Sequence, residues 1–228
     1  MALRALVFDV FGTLVDWRSG VADAFRAAGV PGDPEELADA WRSRYQPILA
    51  EVNDGTRPWG TFDVLHLATL DDLLAERGVT LPLEARWRLV QAWHRLDPWP
   101  DVRGGLDALR RHYVTSPLSN GHIALLIDLA RYGDLRFDCV LSAELANAYK
   151  PDPQTYLTAA RLLDVEPSEL MLVAAHPSDL RGARAAGLRT AYLDRPLEHG
   201  PRSKERSDPD AEVSARDLLE LAQLLAAR

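Results

Sequence analysis

Along this chain the hydrophobic positions first run continuously, then recur at helical spacing, then alternate between short apolar runs and helical stretches. Positions 3–8 are apolar apart from Arg4 and the run is broken by Gly12, the pattern of an inner strand covered on both faces. Over 21–95 leucines and tryptophans fall at helical spacing, and the punctuation divides them into helices. One covers 21–28 and stops at Gly29. Another opens at Asp33-Pro34 and runs through Trp41 and Tyr45 until Pro47 kinks or ends it. A third is capped by Thr61, passes Leu65, Leu70 and Leu74 to Arg77 and stops at Gly78; a fourth starts at Pro82 and passes Trp87 and His94. The two prolines of Asp97-Pro98-Trp99-Pro100 bar further helix and mark a boundary.

Beyond that boundary helices are predicted over 104–112, 122–131, 153–163 and 179–186, the last closed by Gly187, with strands over 113–118, 137–141, 170–174 and 190–193. A polar loop spans 200–208, and Ser214 is placed to cap a last helix over 217–227. This alternation predicts an α/β fold, a Rossmann-like parallel sheet with helices on both faces. The helical stretch after strand 1 reads as an inserted helical-bundle cap. The expected division is 1–15 and 98–228 for the α/β core domain and 16–97 for the helical cap domain. A cap over the sheet's carboxyl edge can shield a reaction from water.

Composition narrows the function classes. A chain of 228 residues can bury a substantial core as one domain carrying an insertion. Its net charge of -8 leaves no surplus of Lys and Arg to displace phosphate counterions, which argues against nucleic acid as a partner. Cys139 is the only cysteine, so an internal disulfide is excluded; in an apolar run it reads as a buried small hydrophobe, and a reducing cytoplasm fits. The chain enters a strand directly after Met1, which leaves no room for a signal peptide, and no apolar run is long enough to span a membrane.

Asp9 is the first candidate for chemistry, because the carboxyl end of a strand in a parallel sheet is where ligands bind. An isolated Asp there also serves as a turn cap. Asp9 is not isolated: Asp9-Val10-Phe11-Gly12-Thr13, Ser119-Asn120-Gly121, Lys150-Pro151 and the segment ending at Asp179 follow in order at predicted strand ends. On these motifs the sequence resembles the haloacid dehalogenase superfamily over nearly its whole length. The resemblance implies that Asp9 is a covalent nucleophile.

Two positions bear on which reaction that nucleophile serves. Phosphatases of the superfamily carry a general-acid Asp two residues after the nucleophile and hold magnesium with acids in the fourth motif. Here those positions are Phe11 and Ala175. Phosphoryl transfer needs a cation, whereas a halide leaves as an anion without protonation. The pattern therefore resembles the type II 2-haloacid dehalogenases, which implies a short 2-halo acid as substrate, no cofactor and no metal. A homodimer is among the assemblies it allows. The alternatives are a superfamily phosphatase acting on a small phosphate ester and a non-enzymatic relative that binds a small acid.

The same resemblance distributes roles. Lys150 keeps the nucleophile ionised, and Asp179 orients or deprotonates the water that cleaves the ester, or holds Lys150. Arg42 either receives the departing halide or is a solvated side chain on a polar helix face. Ser119 and Asn120 meet the substrate carboxylate and the halide, or cap the following helix. Thr13 either contacts the nucleophile and orders its loop or has a purely structural role. Tyr156 either faces the pocket or packs in the core, and Trp59 either walls the apolar side of the substrate or packs likewise. In Ala174-Ala175-His176, where many relatives have Ser-x-Asn, His176 donates to the nucleophile or substrate or is a satisfied loop histidine.

Overall fold

The computed structural model describes residues 2–200 and 207–227. Strand β1 (Ala5–Phe8) leads into a helical block made of α1 (Trp17–Ala27), α2 (Pro34–Ser43), α3 (Tyr45–Asn53), α4 (Phe62–Glu76) and α5 (Leu83–Ala92). The alternating part follows as α6 (Val102–Leu109), β2 (Val114–Ser119), α7 (Ile123–Gly133), β3 (Leu141–Ser142), α8 (Pro153–Leu162), β4 (Leu170–Ala174), α9 (Pro177–Ala185), β5 (Arg189–Leu193), β6 (Val213–Ala215) and α10 (Leu218–Ala226). The six strands form one sheet in the order β3-β2-β1-β4-β5-β6, and every pairing is parallel. Among the described residues no helix is long and apolar enough to cross a membrane.

Side chains of the inner strands alternate between two cores, as pleating requires. Leu6, Phe8, Met171 and Val173 enter one apolar cluster, while Ala5, Val7, Leu170, Leu172 and Ala174 enter another. The first cluster continues without a break into the helical block through Trp17, Phe25, Trp41, Phe62 and Trp93. Where the chain leaves and re-enters the sheet domain its two crossings run side by side: the Asp16 amide donates to the Asp97 carbonyl at 2.9 Å and the Trp99 amide to the Leu14 carbonyl at 3.0 Å.

Several local expectations change. The break in the second predicted helix falls at Arg44, before Pro47. Pro47 then lies in the first turn of α3, where its missing N–H has no partner to lose. The strand expected over 137–141 shrinks to Leu141–Ser142, because the Asp138 carboxylate accepts from the Thr115 amide at 2.9 Å and occupies a donor a longer β3 would use. Cys139 is accordingly half-buried, not a core residue. Ser214 lies in β6, a strand the sequence pattern missed, and Asp217 caps α10 by accepting from the Glu220 amide. Most of the loop expected over 200–208 lies outside the described residues.

Candidate active site

The chain passes from β1 to β2 and β3 on one side and returns to β4 on the other side of β1. The reversal opens a crevice at the carboxyl ends of β1 and β4, the usual ligand position in such sheets. Asp9 leaves β1 there, and its amide donates to Val173 of β4 at 3.0 Å. A cavity of about 740 Å³ opens above it, lined from the sheet side by Asp9, Asn120, Lys150, His176 and Asp179, and from the helical block by Trp17, Arg42 and Tyr45.

Both oxygens of Asp9 are held. Lys150 Nζ donates to Oδ1 at 3.0 Å; Thr13 Oγ1 and His176 Nδ1 contact Oδ2 at 2.7 and 2.9 Å. Burial alone would raise the pKa of this carboxyl, yet the Lys150 charge, His176 and the Thr13 hydroxyl together hold it far below the usual carboxylate range. Asp9 is thus an anion across all ordinary pH. Thr13 owes its position to the turn at Gly12, whose φ of 87° is left-handed, and its Oγ1 also accepts from the Ala175 amide at 3.0 Å.

Lys150 bridges two carboxylates, since Nζ also donates to Asp179 Oδ2. Burial works against its charge, but Asp179 and Asp9 outweigh it and raise the ammonium pKa. Asp179 sits in the first turn of α9 and shifts upward, because burial and the Asp9 charge oppose ionisation more strongly than Lys150 and the Tyr156 hydroxyl favour it. Two carboxyl groups sharing one lysine are therefore pushed apart, Asp9 held as the anion and Asp179 raised toward binding a proton.

Asn120 plays a different part from the expected one. Its Oδ1 accepts from the Lys150 amide at 2.7 Å, while Nδ2 donates to the Lys150 carbonyl at 3.2 Å and to the Tyr45 hydroxyl at 3.0 Å. The side chain lines the cavity, yet its work is to clamp the Lys150 backbone. Ser119 is buried, accepts from the Gly121 amide at 3.1 Å and is absent from the cavity wall; the cap position of α7 is His122, so Ser119 closes the turn ahead of the helix and does not cap it. Tyr156 is also behind the wall, donating to Asp179 Oδ1 at 2.6 Å; it positions that carboxylate from the core. Trp59 stacks on Tyr149 with centroids 4.5 Å apart and does not line the cavity. Of the two expected places for it, the packed one is the one observed, and it is half-buried there.

Arg42 does reach the cavity. Its guanidinium carbon lies 4.1 Å from the Tyr45 ring centroid and 5.4, 5.8 and 5.9 Å from those of Trp17, Trp93 and Phe11. Nη1 is buried and has no hydrogen-bond partner among the described residues. A cation held in an aromatic cage with an unused donor is equipped to receive an anion.

Sequence reasoning missed Glu198, Tyr45 and Trp17. Glu198 Oε1 lies 2.8 Å from His176 Nε2 and accepts from Trp17 Nε1 at 3.2 Å. A Cβ at Gly12 would stand 2.2 Å from that oxygen, so the glycine admits the glutamate as well as the turn. No spacing signal links position 198 to position 176; the only sequence hint was a histidine in place of an uncharged donor. Burial lowers the affinity of His176 for a proton, but Glu198 and Asp9 on either side overcome it and push the imidazole up to about 10, while Glu198 falls to about 2. His176 is therefore a cation at neutral pH. Because its folded value exceeds the unfolded one, its contribution to stability is complete below about 6.5 and is lost as pH rises through about 10. In Glu198→Gln the alkaline limb of the kcat/KM profile should move down by roughly 1–3 units; an unmoved limb would uncouple Glu198 from His176.

A family model for haloacid dehalogenase-like hydrolases matches residues 3–187. The (S)-2-haloacid dehalogenase 1 of Pseudomonas sp. strain CBS-3 is 35% identical over 196 residues, covering 85% of each chain. Among solved structures, the L-2-haloacid dehalogenase PA0810 matches with a TM-score of 0.94 at 46% identity, covering 100% of both chains. The L-2-haloacid dehalogenase from Xanthobacter autotrophicus with chloropropionic acid covalently bound matches with a TM-score of 0.85 at 26% identity, covering 98% of both.

Proposed function

The chain belongs to the haloacid dehalogenase-like hydrolases, and from that membership we propose that it hydrolyses short 2-haloalkanoic acids to 2-hydroxy acids through an ester on Asp9. The observation that carries this reading is the ionised Asp9 facing a caged, unpaired Arg42 across the cavity, with Phe11 and Ala175 at the sequence positions of the phosphatase acids. Asp9 Oδ1, with one donor against two at Oδ2, is the freer oxygen to attack the halogen-bearing carbon. A C–O bond forms, and the halide leaves with the bonding pair toward Arg42. Water then adds to the ester carbonyl, giving one proton to Asp179, which passes it to the departing hydroxy acid; the water's second proton is lost to solvent and Asp9 returns as carboxylate. Lys150 supports the anion at Asp9 in both halves. Thr13 and His176 hold the ester carbonyl end by the contacts they make to Oδ2. The proposed residues are catalytic Asp9, Lys150 and Asp179, with Arg42 as halide receiver, inside a cap over 16–97 and a core over 1–15 and 98–228.

The relatives named above are (S)- and L-2-haloacid dehalogenases, and the S enantiomer is the proposed substrate here. The reading includes a cytoplasmic location and allows a homodimer. Halide release from both enantiomers of 2-chloro- and 2-bromopropionate tests it: the S forms should turn over, and hydrolysis of p-nitrophenyl phosphate with magnesium but no halide release would favour the phosphatase reading. Because the two acids that would hold magnesium are not both present, magnesium should neither raise the rate nor restore any rate lost on adding EDTA. Magnesium rescue after EDTA would sink the dehalogenase assignment.

A further inference from the structure

Outside the cavity, three side chains from opposite sides of the molecule converge on one point. Asp63 lies in the first turn of α4 and His94 just beyond α5, both in the helical block, while His122 precedes α7 of the sheet domain. His94 Nε2 is 3.1 Å from each Asp63 oxygen, and His122 Nε2 is 3.8 Å from Asp63 Oδ2. One ligating atom from each residue falls within 4.8 Å of the others. Asp63 and His94 are buried, and His122 is half-buried. None of the three lines the cavity above Asp9.

We propose that Asp63, His94 and His122 bind a divalent transition metal, zinc above all, which pins the helical block to the sheet domain. Two imidazoles and a carboxylate suit zinc and its neighbours in the first row better than magnesium or calcium, which prefer oxygen alone. Bonds near 2.0–2.1 Å place tetrahedral ligand atoms about 3.3 Å apart, and the observed 3.1 and 3.8 Å bracket that edge. At 3.8 Å the His122 contact is too long for a hydrogen bond but spans two ligand bonds meeting at an ion. The outer shell is present as well. Asp128 Oδ2 lies 2.8 Å from His94 Nδ1, the carboxylate–histidine arrangement that turns the other ring nitrogen toward a metal. Gln91 Nε2 donates to Asp63 Oδ2 at 3.4 Å. Three protein ligands leave the fourth position to a solvent molecule.

The site has no part in the proposed reaction, so its test reads binding and stability. Chelator-treated protein titrated with zinc by calorimetry should take up one equivalent per chain, and cobalt in its place should show the absorption of a tetrahedral ion. The melting temperature should rise with free zinc, since the folded state alone assembles the ligands. The His122 ring makes no hydrogen bond among those described, so His122→Ala is expected to fold and to lose stoichiometric binding. Asp128→Asn, which touches only the outer shell, should weaken zinc roughly 10–100-fold. Absence of uptake by the parent protein would overturn the proposal and leave His94 as a plain ion-pair bridge between Asp63 and Asp128. Uptake that survives His122→Ala unchanged would overturn it too.

Discussion

Asp9→Asn is expected to release no halide from any 2-halo acid. An amide is a poor nucleophile, and the only other carboxylate against Lys150 among the described residues, Asp179, is engaged by that lysine and by Tyr156 and biased toward accepting a proton. The stronger form of this test labels the oxygen. A single turnover in heavy-oxygen water, with enzyme in excess, should leave the label on the peptide containing Asp9 and give unlabelled hydroxy acid, with inversion at the substrate carbon. Water adds to the ester carbonyl, so the oxygen entering the first product comes from the enzyme. Label in that first hydroxy acid would mean direct attack by water, with Asp9 demoted to general base.

The next largest effect is expected at Arg42. Arg42→Ala should slow ester formation by on the order of a hundredfold or more, the usual loss when one preorganised charge-stabilising donor is removed. Ester hydrolysis should be nearly unchanged, because no halide develops in that half. Rapid-quench measurement of the halide burst separates the two. Arg42→Lys is the control for packing: it keeps the charge but gives up the planar stack on Tyr45, and its burst should fall between the other two. A burst in Arg42→Ala equal to that of the parent would remove Arg42 from the site.

Residues whose positions follow from strand ends were legible in the sequence, because a parallel sheet delivers every carboxyl end to one edge whatever the loops do. Asp9, Lys150 and Asp179 meet there, as their order along the chain implied, and Thr13 and His176 join them. Residues whose roles depend on side-chain direction were not legible. Asn120 and Ser119 stand where expected, but the Asn120 amide is taken by Tyr45 and the Lys150 backbone and the Ser119 oxygen by the Gly121 amide, and nothing in the spacing shows that a polar group is already engaged. Tyr156 is buried and Trp59 half-buried, against Asp179 and Tyr149 instead of the cavity. Glu198 was out of reach altogether: it enters from a loop after β5, and only the folded chain sets it against His176 and Gly12. The short strands show the same limit. A three-residue β6 is below the length at which alternation becomes a pattern, and a single Asp138 carboxylate was enough to shorten β3.

The unbroken apolar cluster shared by the helical block and the sheet domain bears on traffic through the cavity. Phe11 of the sheet domain stacks on Phe62 of the block at 5.1 Å and meets Trp93 edge-on at 5.4 Å, so swinging the block away as a rigid body would wet these rings together. Burial of large aromatic rings is among the strongest contributions to a core, and such an opening would be a rare event. Passage to Asp9 is then left to the open mouth of the cavity with the block in place. The block and the sheet domain then act as one body, and what reaches Asp9 must fit the cavity in the shape the two already give it.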